Sequence, residues 1–358
     1  MSKVLEYNGK LAFHPGYYIE ELVEESGLTQ DEFSHRLGTT AKNLSVLING
    51  KQKLSFDIAY KLSKMYGTSV KYWMNLQTAY DLAEYEIQNE KTIKDEQDIV
   101  KELGYSNFRD SYGLPGLPRN LSEQVKVLCK FFNISSLTKL RDPSLAVSFR
   151  SAANDQRKIS IVKANAMVQI AVNEALKIYI PPFDKNAFKE AVKVAQTLTG
   201  MPEGCYKVLS ETFLKAGVKL VILKSIPGSK INGATRKIGN SVLLMVSDRY
   251  KSADIFWFTL FHEVGHIMND DFGASFEGDK GSKEESADKY AADCLIPADD
   301  YIEFLKKDQI TPQSIEAFAR KIGRDPSIIV GRLSKEGKIA YQDRRYESYK
   351  KSISFDLN

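Results

Sequence analysis

The hydrophobic positions of the chain recur mostly with the spacing of amphipathic helices. Near the amino terminus, three short segments place apolar residues three or four positions apart, and glycines separate the segments. Thr29 is suited to cap the second helix and Gly38 to end it. Thr39 or Thr40 then begins the third helix. Two short helices that meet at a glycine predict a helix-turn-helix.

Farther along the chain, two apolar runs have the length of buried strands, Val218–Leu223 and Val242–Val246. The residues between these runs and the amino-terminal helices read as further helices, including one long charged helix over residues 81–103. The pattern therefore predicts an α+β protein that is mostly helical, with a small β-sheet. The predicted domains are residues 1–82, a helical connector over residues 83–205, and residues 206–358.

One predicted helix carries candidate chemistry. The segment Ile255–Phe261 is apolar on nearly every side, so its helix belongs in a core. It continues into His262–His266, which reads HEVGH and places two of the four histidines one helical turn apart. Two imidazoles on one helix face can hold a metal ion, and Glu263 between them can act on water. The alternative is a solvent-facing helix end with ordinary histidines.

A catalytic zinc site needs a third protein ligand, and a second helix supplies a candidate. Ser282 and Glu285 fit a capping box that would begin this helix. The face that carries Glu284 and Asp288 is otherwise small and apolar, so Gly265 opposite would allow close helix packing. We therefore predict Glu284 as the third ligand, with Glu285 as the alternative. Asp288 would accept a hydrogen bond from a ligating histidine.

These residues resemble the ImmA/IrrE (DUF955) family of metallopeptidases. The similarity rests on the HEVGH helix, on the motif Glu284–Ala291 that leads to Leu295–Pro297, and on a strand pair within Gly233–Ser247. It covers roughly residues 206–335. The resemblance implies a gluzincin-like, zinc-dependent endopeptidase that acts on a protein, commonly a partner repressor.

The predicted mechanism follows from these parts. Zn²⁺ held by His262, His266 and Glu284 would lower the pKa of a bound water toward about 7. Glu263 would accept the proton and pass it to the leaving amine. If Val242–Val246 forms a sheet edge beside the metal, a peptide substrate would add to it as a further strand.

The third amino-terminal helix carries the candidate DNA contacts. The side chains expected at base edges and phosphates are those of Thr40, Lys42, Asn43, Ser45 and Lys51. Residues 35–71 contain seven basic residues and one acid, whereas residues 6–34 contain seven acids and one base. One face would therefore meet phosphates and the other would not. The alternative is a small helical bundle with solvated charges.

This region resembles the HigA-type antitoxins of the Cro/repressor class. The similarity covers about residues 11–82 and rests on His14–Gly16, Leu28–Gln30, Leu44–Lys51 and Tyr72–Asp81. It implies a five-helix, lambda-repressor-like domain that binds a palindromic operator in double-stranded DNA as a homodimer.

Composition and charge limit the classes of protein to which the chain could belong. A hydrophobic content of 43% and a charged content of 27% are those of a soluble globular protein, and a net charge of +4 excludes a uniformly basic coat. Three scattered cysteines, Cys129, Cys205 and Cys294, indicate reduced thiols. The first residues lack an apolar signal segment, and no run is long enough to cross a membrane. We therefore expect a cytoplasmic protein.

The sequence thus predicts a DNA-binding regulator with a zinc metalloendopeptidase domain that cleaves a protein partner or itself. One alternative is a non-proteolytic, HigA-like antitoxin and autorepressor whose carboxy-terminal domain binds a toxin or ligand. Another is a sensor whose pocket binds a small molecule and shifts DNA affinity. Glu263 favours the first function, since a structural zinc site needs no base. The connector reads as a helical spacer that supports the peptidase domain, with a sensor or partner-binding module as the alternative.

Overall fold

The computed structural model describes residues 3–7, 10–142, 155–201, 204–249, 251–276, 281–306 and 310–352. The chain forms two compact units, Met1–Asp95 and Glu96–Asn358, where the sequence suggested three parts. Most of the predicted connector belongs to the second unit, because its helices share a hydrophobic core with the sheet of that unit. Among the helices of the described ranges, none combines the length and the apolar character of a membrane span.

The first unit begins with an antiparallel hairpin, which the sequence did not predict. Its strands are β1 (Val4–Tyr7) and β2 (Lys10–Phe13). The helices that follow are α1 (Pro15–Glu25), α2 (Gln30–Leu37), α3 (Ala41–Ile48), α4 (Phe56–Tyr66) and α5 (Val70–Gln88). The next helix, α6 (Glu90–Leu103), continues into the second unit, which begins at Glu96. The predicted helix over residues 81–103 is wrong as a single element, since Asn89 leaves helical geometry and separates α5 from α6.

The helix-turn-helix has a shared core and local caps. Ile19 of α1, Phe33 of α2 and Leu44 of α3 are fully buried in that core. The Thr29 hydroxyl and the Glu32 carboxylate form a capping box at the start of α2. Gly38 ends α2 in the left-handed region at φ 72°, and α3 begins directly afterwards.

The second unit is built on a four-stranded sheet with helices on both faces. Its helices are α7 (Tyr105–Tyr112), α8 (Leu121–Phe132), α9 (Asp155–Ala175), α10 (Lys185–Thr197), α11 (Cys205–Lys215), α12 (Ala253–Met268), α13 (Ser282–Leu295), α14 (Ala298–Leu305), α15 (Pro312–Ile322) and α16 (Pro326–Lys335). Its strands are β3 (Val218–Leu223), β4 (Ile231–Ile238), β5 (Ser241–Ser247) and β6 (Gly273–Phe276). Three short 3-10 turns complete the described elements, Leu137–Arg141, Leu198–Gly200 and Arg344–Tyr349.

The strands lie in the order β3-β5-β4-β6, with β3 and β5 parallel and the other pairs antiparallel. Side chains of β3 and β5 alternate between two cores, as the pleat of a strand requires. Leu220 and Leu244 pack with α11 and α12, whereas Val221 and Leu243 pack with α8 and α9. A sheet covered on both faces explains why both strands read as continuous apolar runs.

Candidate metal centre and nucleic-acid interface

The helix α12 carries the HEVGH residues into the core. Residues Leu260–Ile267 of this helix are all buried. His262 retains 8% of its surface and His266 retains 6%, while Glu263 is completely covered. The apolar segment before His262 therefore places three ionisable side chains where water does not surround them, as the sequence predicted.

The helix α13 packs closely against α12. A Cβ atom at Gly265 would lie 3.1 Å from the Cα atom of Ala287, so the predicted close approach at this glycine is confirmed. The predicted capping box at Ser282 is wrong, because Gly281 precedes the helix and no side chain caps it. The packing brings Glu284 to the histidines and leaves the alternative ligand, Glu285, exposed.

The three predicted ligands converge on one point. The Nε2 atom of His262 lies 3.1 Å from His266 Nε2 and 3.1 Å from Glu284 Oε2, and His266 Nε2 lies 3.6 Å from Glu284 Oε1. Two ligand atoms on a tetrahedral zinc ion are roughly 3.3 Å apart, given bonds of about 2.0–2.1 Å. In the described part of the chain, these residues form a group able to hold a metal ion.

A carboxylate contacts the Nδ1 atom of each imidazole ring, on the side away from the candidate metal position. His262 Nδ1 lies 2.8 Å from Asp288 Oδ1, which is the contact predicted for Asp288. His266 Nδ1 lies 3.3 Å from Asp271 Oδ2, and the sequence analysis missed Asp271. In neutral imidazoles, a hydrogen bond from each Nδ1–H leaves both Nε2 lone pairs free for a metal ion at one point. Asp271 follows the end of α12, where no sequence spacing marks it as a partner of His266.

The electrostatics of this trio favour a cation. Burial lowers the pKa of His262, but hydrogen bonds with Asp288 and Glu284 outweigh burial and raise that pKa to about 10. Hydrogen bonds with the two imidazoles hold the pKa of Glu284 at about 2. The site therefore stabilises positive charge between its carboxylates, and a divalent metal ion satisfies the same requirement.

The Glu263 side chain lies against Gly233 of β4. Burial raises the pKa of its carboxyl group, although both imidazoles and the nearby Ser275 hydroxyl of β6 lower it. Neither carboxylate oxygen forms a hydrogen bond of normal geometry with a described residue, Ser275 included. A Cβ atom at Gly233 of β4 would lie 2.6 Å from the Cδ and Cγ atoms of Glu263, so only glycine leaves room for this side chain.

A cavity of about 1370 Å³ opens beside the ligands and is lined by His262, Glu284 and Asp288. The strand β6 contributes Ser275 and Phe276, and Asn232 lines the cavity where the pairing of β4 with β6 shifts register. The predicted sheet edge at Val242–Val246 is wrong, because β5 pairs with β3 and β4 on its two sides. The edge strand that lines the cavity beside the candidate metal ligands is β6.

The carboxy-terminal segment forms another wall of this cavity. Ser352 pairs with Ser252 in an isolated antiparallel bridge, and the Ala253 amide donates to the Lys351 carbonyl at 2.9 Å. Lys350 and Tyr349 of the same segment also line the cavity. The start of α12 is therefore joined to residues about one hundred positions later in the chain.

The predicted DNA contacts lie on and beside α3 in the first unit. Lys42 and Lys51 are exposed, and neither forms an ion pair with a described residue. Thr40 caps α3, since its hydroxyl accepts from the Asn43 amide at 3.1 Å. Ser45 is half-buried. These positions place two exposed cations and three short polar side chains on and beside α3.

Asn43 is held more firmly than the sequence suggested. Its side-chain nitrogen, Nδ2, donates to Thr39 Oγ1 at 2.8 Å, and its side-chain oxygen, Oδ1, accepts from Gln52 Nε2 at 2.6 Å. The side chain is therefore oriented before any ligand binds, which lowers the entropy cost of a contact. Gln52 and Thr39 were not among the predicted residues.

Comparisons with known proteins concern the first unit. Residues 19–73 match the sequence model described as "Helix-turn-helix". The uncharacterised HTH-type transcriptional regulator YddM of Escherichia coli K12 is 38% identical over 79 residues, which are 22% of this chain and 84% of YddM. The virulence-associated protein A' of Dichelobacter nodosus is 38% identical over 72 residues, 20% of this chain and 63% of that protein.

Two solved structures are also similar in sequence. An addiction module antidote protein of the HigA family from Coxiella burnetii is 29% identical, with 24% of this chain and 92% of that chain covered and a TM-score of 0.22. PA4674 from Pseudomonas aeruginosa, solved with its operator DNA, is 29% identical, with 24% and 90% covered and a TM-score of 0.23. TM-scores this low support no structural argument.

The sequence matches define the first unit as a DNA-binding helix-turn-helix domain of the transcriptional-regulator type. Through this unit, the chain belongs to the helix-turn-helix family of transcriptional regulators. The matched shares are 20–24% of the chain, so the function of the second unit rests on the geometry of its own residues.

Proposed function

We propose that this protein is a DNA-binding transcriptional regulator whose second unit is a zinc-dependent endopeptidase. The observation that carries the proposal is the convergence of His262, His266 and Glu284 next to a fully buried Glu263. A carboxylate without a hydrogen-bond partner costs free energy in the folded state, so a role in chemistry explains its position better than a role in packing.

The ligand set fits a catalytic rather than a structural zinc ion. Structural sites use four protein ligands, whereas catalytic sites use three and keep one position for water or substrate. The described residues supply three ligands, two of which also line a cavity large enough for a peptide. Asp288 and Asp271 orient the two imidazoles, which is the usual support for ligating histidines.

The residues of the chain suggest a division of labour. When bound, Zn²⁺ supplies a Lewis acid that activates water and polarises a carbonyl group. A carboxylate oxygen of Glu263 accepts the proton of the attacking water and returns it to the leaving amine nitrogen. Burial keeps bulk water away from this carboxylate, and the lack of a side chain at Gly233 leaves room for it beside β4.

The regulatory half of the proposal concerns the target of the first unit. Lys42 and Lys51 would neutralise phosphates of double-stranded operator DNA, and Thr40, Asn43 and Ser45 would contact base edges. We propose that the protein binds this operator as a homodimer and that its peptidase cleaves a protein partner, such as a repressor or toxin. Cleavage would then couple a protein signal to transcription.

A pair of variants on α12 and α13 tests the enzyme. Glu263→Gln removes the proton acceptor and keeps the three ligands, so zinc content should stay near one per chain while cleavage of labelled casein falls roughly 10²–10⁴-fold. Glu285→Gln, at the exposed neighbour of Glu284, should keep both zinc and cleavage. Cleavage that is unchanged in Glu263→Gln would eliminate Glu263 as the base.

The same experiment separates the main alternative. A wild-type protein that carries zinc, binds its operator and cleaves neither casein nor co-expressed proteins would be a non-proteolytic antitoxin or repressor. If the enzyme is active, immobilised Glu263→Gln protein should retain an uncut partner from cell extract, and that partner identifies the substrate.

A further inference from the structure

The cavity beside the ligands continues along α12 toward its amino-terminal end. His262 stands nine residues after Ala253, which corresponds to about 14 Å along a helix axis. Between these ends the lining includes the apolar side chains of Ile255 and Phe258 on α12 and Ile328 on α16, together with polar ones such as Thr259. The cavity is thus a channel that follows one face of α12 from the candidate metal ligands toward the start of the helix.

Basic side chains stand at both ends of this channel. At the ligand end are Lys289 of α13 and Lys335 of α16, whose Nζ atom lies 4.0 Å from Asp288 Oδ2 and 4.2 Å from the ring centroid of Phe258. The basic residues at the other end, beside the start of α12, are Arg249, Lys251, Lys350 and Lys351.

Acidic residues of the described lining do not balance these cations. Seven basic and four acidic side chains line the cavity. Three of the acids already have partners: Glu284 and Asp288 contact His262, and Glu336 forms an ion pair with Arg332. The fourth, Asp254, accepts a hydrogen bond from Ser252.

Some of the cations are uncommitted. Lys251 and Lys289 are exposed and form no ion pair with any residue that the structure describes. Lys351, by contrast, lies 2.7 Å from Asp325. Lys350 is likewise paired, with Glu347. A bound metal ion would add two positive charges at the ligand end, and Lys251 stands at the other end, so each end of the channel offers a cation to an acidic group.

We infer that this channel takes an extended peptide that is apolar next to the scissile bond and acidic about four residues away from it. This inference rests on the proposed peptidase function. A distance of about 14 Å corresponds to roughly four residues of extended chain at about 3.3 Å each. Glutamate or aspartate at that distance would meet Lys251 and its neighbours, while the apolar residues would cover Ile255 and Phe258.

Three matched peptides test the inference on zinc-loaded Glu263→Gln protein, which binds substrate without consuming it. Each labelled peptide has the same apolar centre, with glutamate, glutamine or lysine at both ends, and binding is followed by fluorescence anisotropy. The glutamate peptide should bind at least roughly tenfold more tightly than the glutamine peptide at low ionic strength. Added salt should reduce this difference.

Charge reversal locates the effect in the channel. Lys251→Glu combined with Lys289→Glu should abolish the preference, and both positions are exposed, so the fold should persist. The matched control is Lys207→Glu, an exposed lysine of α11 that does not line the cavity, and it should keep the preference. Equal binding of the three peptides, tighter binding of the lysine peptide, or no binding of the glutamate peptide would overturn the inference.

Failure of the inference and failure of the enzyme remain distinguishable. Casein cleavage by the wild-type protein together with equal peptide binding would retain the peptidase and remove the acidic preference. A preference for the glutamate peptide in a protein that cleaves nothing would retain an acidic-peptide site and remove the peptidase.

Discussion

The helices α3 and α12 each carry the candidate chemistry of one unit, and they do so in opposite ways. In α3 the candidate polar side chains are exposed or half-buried. Their hydrogen-bond partners lie within ten positions in the sequence, as Thr39 and Gln52 do for Asn43. In α12 the polar side chains lie inside, and the partners of His262 and His266 come from beyond the helix.

The two sets of side chains differ in their effect on the free energy of folding. Exposed lysines and a capped helix end add little to the free energy of the folded state, and Thr40 even stabilises α3. A buried, unpartnered carboxylate such as Glu263 opposes folding by an amount on the order of a few kcal/mol. The candidate function of the first unit is therefore visible in its exposed side chains. That of the second unit is visible only in a buried polar group without a hydrogen-bond partner.

The largest expected effect is the loss of metal from α12. His262→Ala leaves two protein ligands, so zinc should fall from about one per chain to well below that value after dialysis. Operator affinity, measured by gel shift, should stay unchanged, because α3 lies in the other compact unit. His35→Ala, at an exposed histidine of α2, is the control for zinc content. Full zinc retention in His262→Ala would place the metal elsewhere.

The reverse experiment damages the first unit and spares the second. A Cβ atom at Gly16 of α1 would overlap the carbonyl oxygen of Leu47 in α3. Gly16→Ala should therefore lower the free energy of unfolding of this unit by about 1–3 kcal/mol and weaken operator binding. Zinc content and casein cleavage should persist.

Gly116→Ala is the control for this substitution, since a Cβ atom there would meet nothing within 4 Å. A Gly16→Ala protein with normal thermal unfolding and normal operator affinity would contradict the packing of α1 on α3.

Substituting the carboxylates that orient the imidazoles should reduce zinc affinity less than removing an imidazole. Asp288→Asn keeps the shape of the side chain and weakens its hydrogen bond with His262, so zinc affinity should fall roughly 10–100-fold. Asp271→Asn should cost less, because its 3.3 Å distance to His266 exceeds the 2.8 Å of the Asp288 contact. Competition with a chelator measures both values, and a larger loss in Asp271→Asn would reverse the assigned importance of the two carboxylates.

The smallest effect is expected on the surface of α3. Lys42→Ala should weaken operator binding moderately and reduce the dependence of log K on log salt by about one unit, since one phosphate contact is lost. Adding Asn43→Ala should weaken binding further and relax preference at one base position. Zinc content should not change. Normal operator affinity in the double variant would refute α3 as the reading helix, and Lys207→Ala serves as the charge control.

The sequence predicted elements whose causes are local. Three predicted features depend on apolar runs, glycine and capping hydroxyls within a few positions. They are the bounds of β3, the end of α2 at Gly38 and the start of α3 at Thr40. The choice of Glu284 over Glu285 also depended on local periodicity, because one helix face was small and apolar.

The features that escaped prediction depend on contacts between distant segments. The sheet order made β6 the edge and β5 an interior strand, and no local pattern distinguishes the two. The connector helices became part of the second unit because Val221 and Leu243 present an apolar face that they cover. Asp271 was missed for the same reason, since only the turn after α12 brings it to His266.

The pairing of Ser352 with Ser252 has a consequence for how the protein matures on the ribosome. The helix-turn-helix unit is complete in sequence at Asp95, whereas the start of α12 gains a backbone partner only when Lys351 has been translated. At about 5–20 residues per second, that interval lasts roughly 10–50 s. A nascent chain therefore completes its DNA-binding unit well before the helix that carries the HEVGH residues is joined to the rest of its fold.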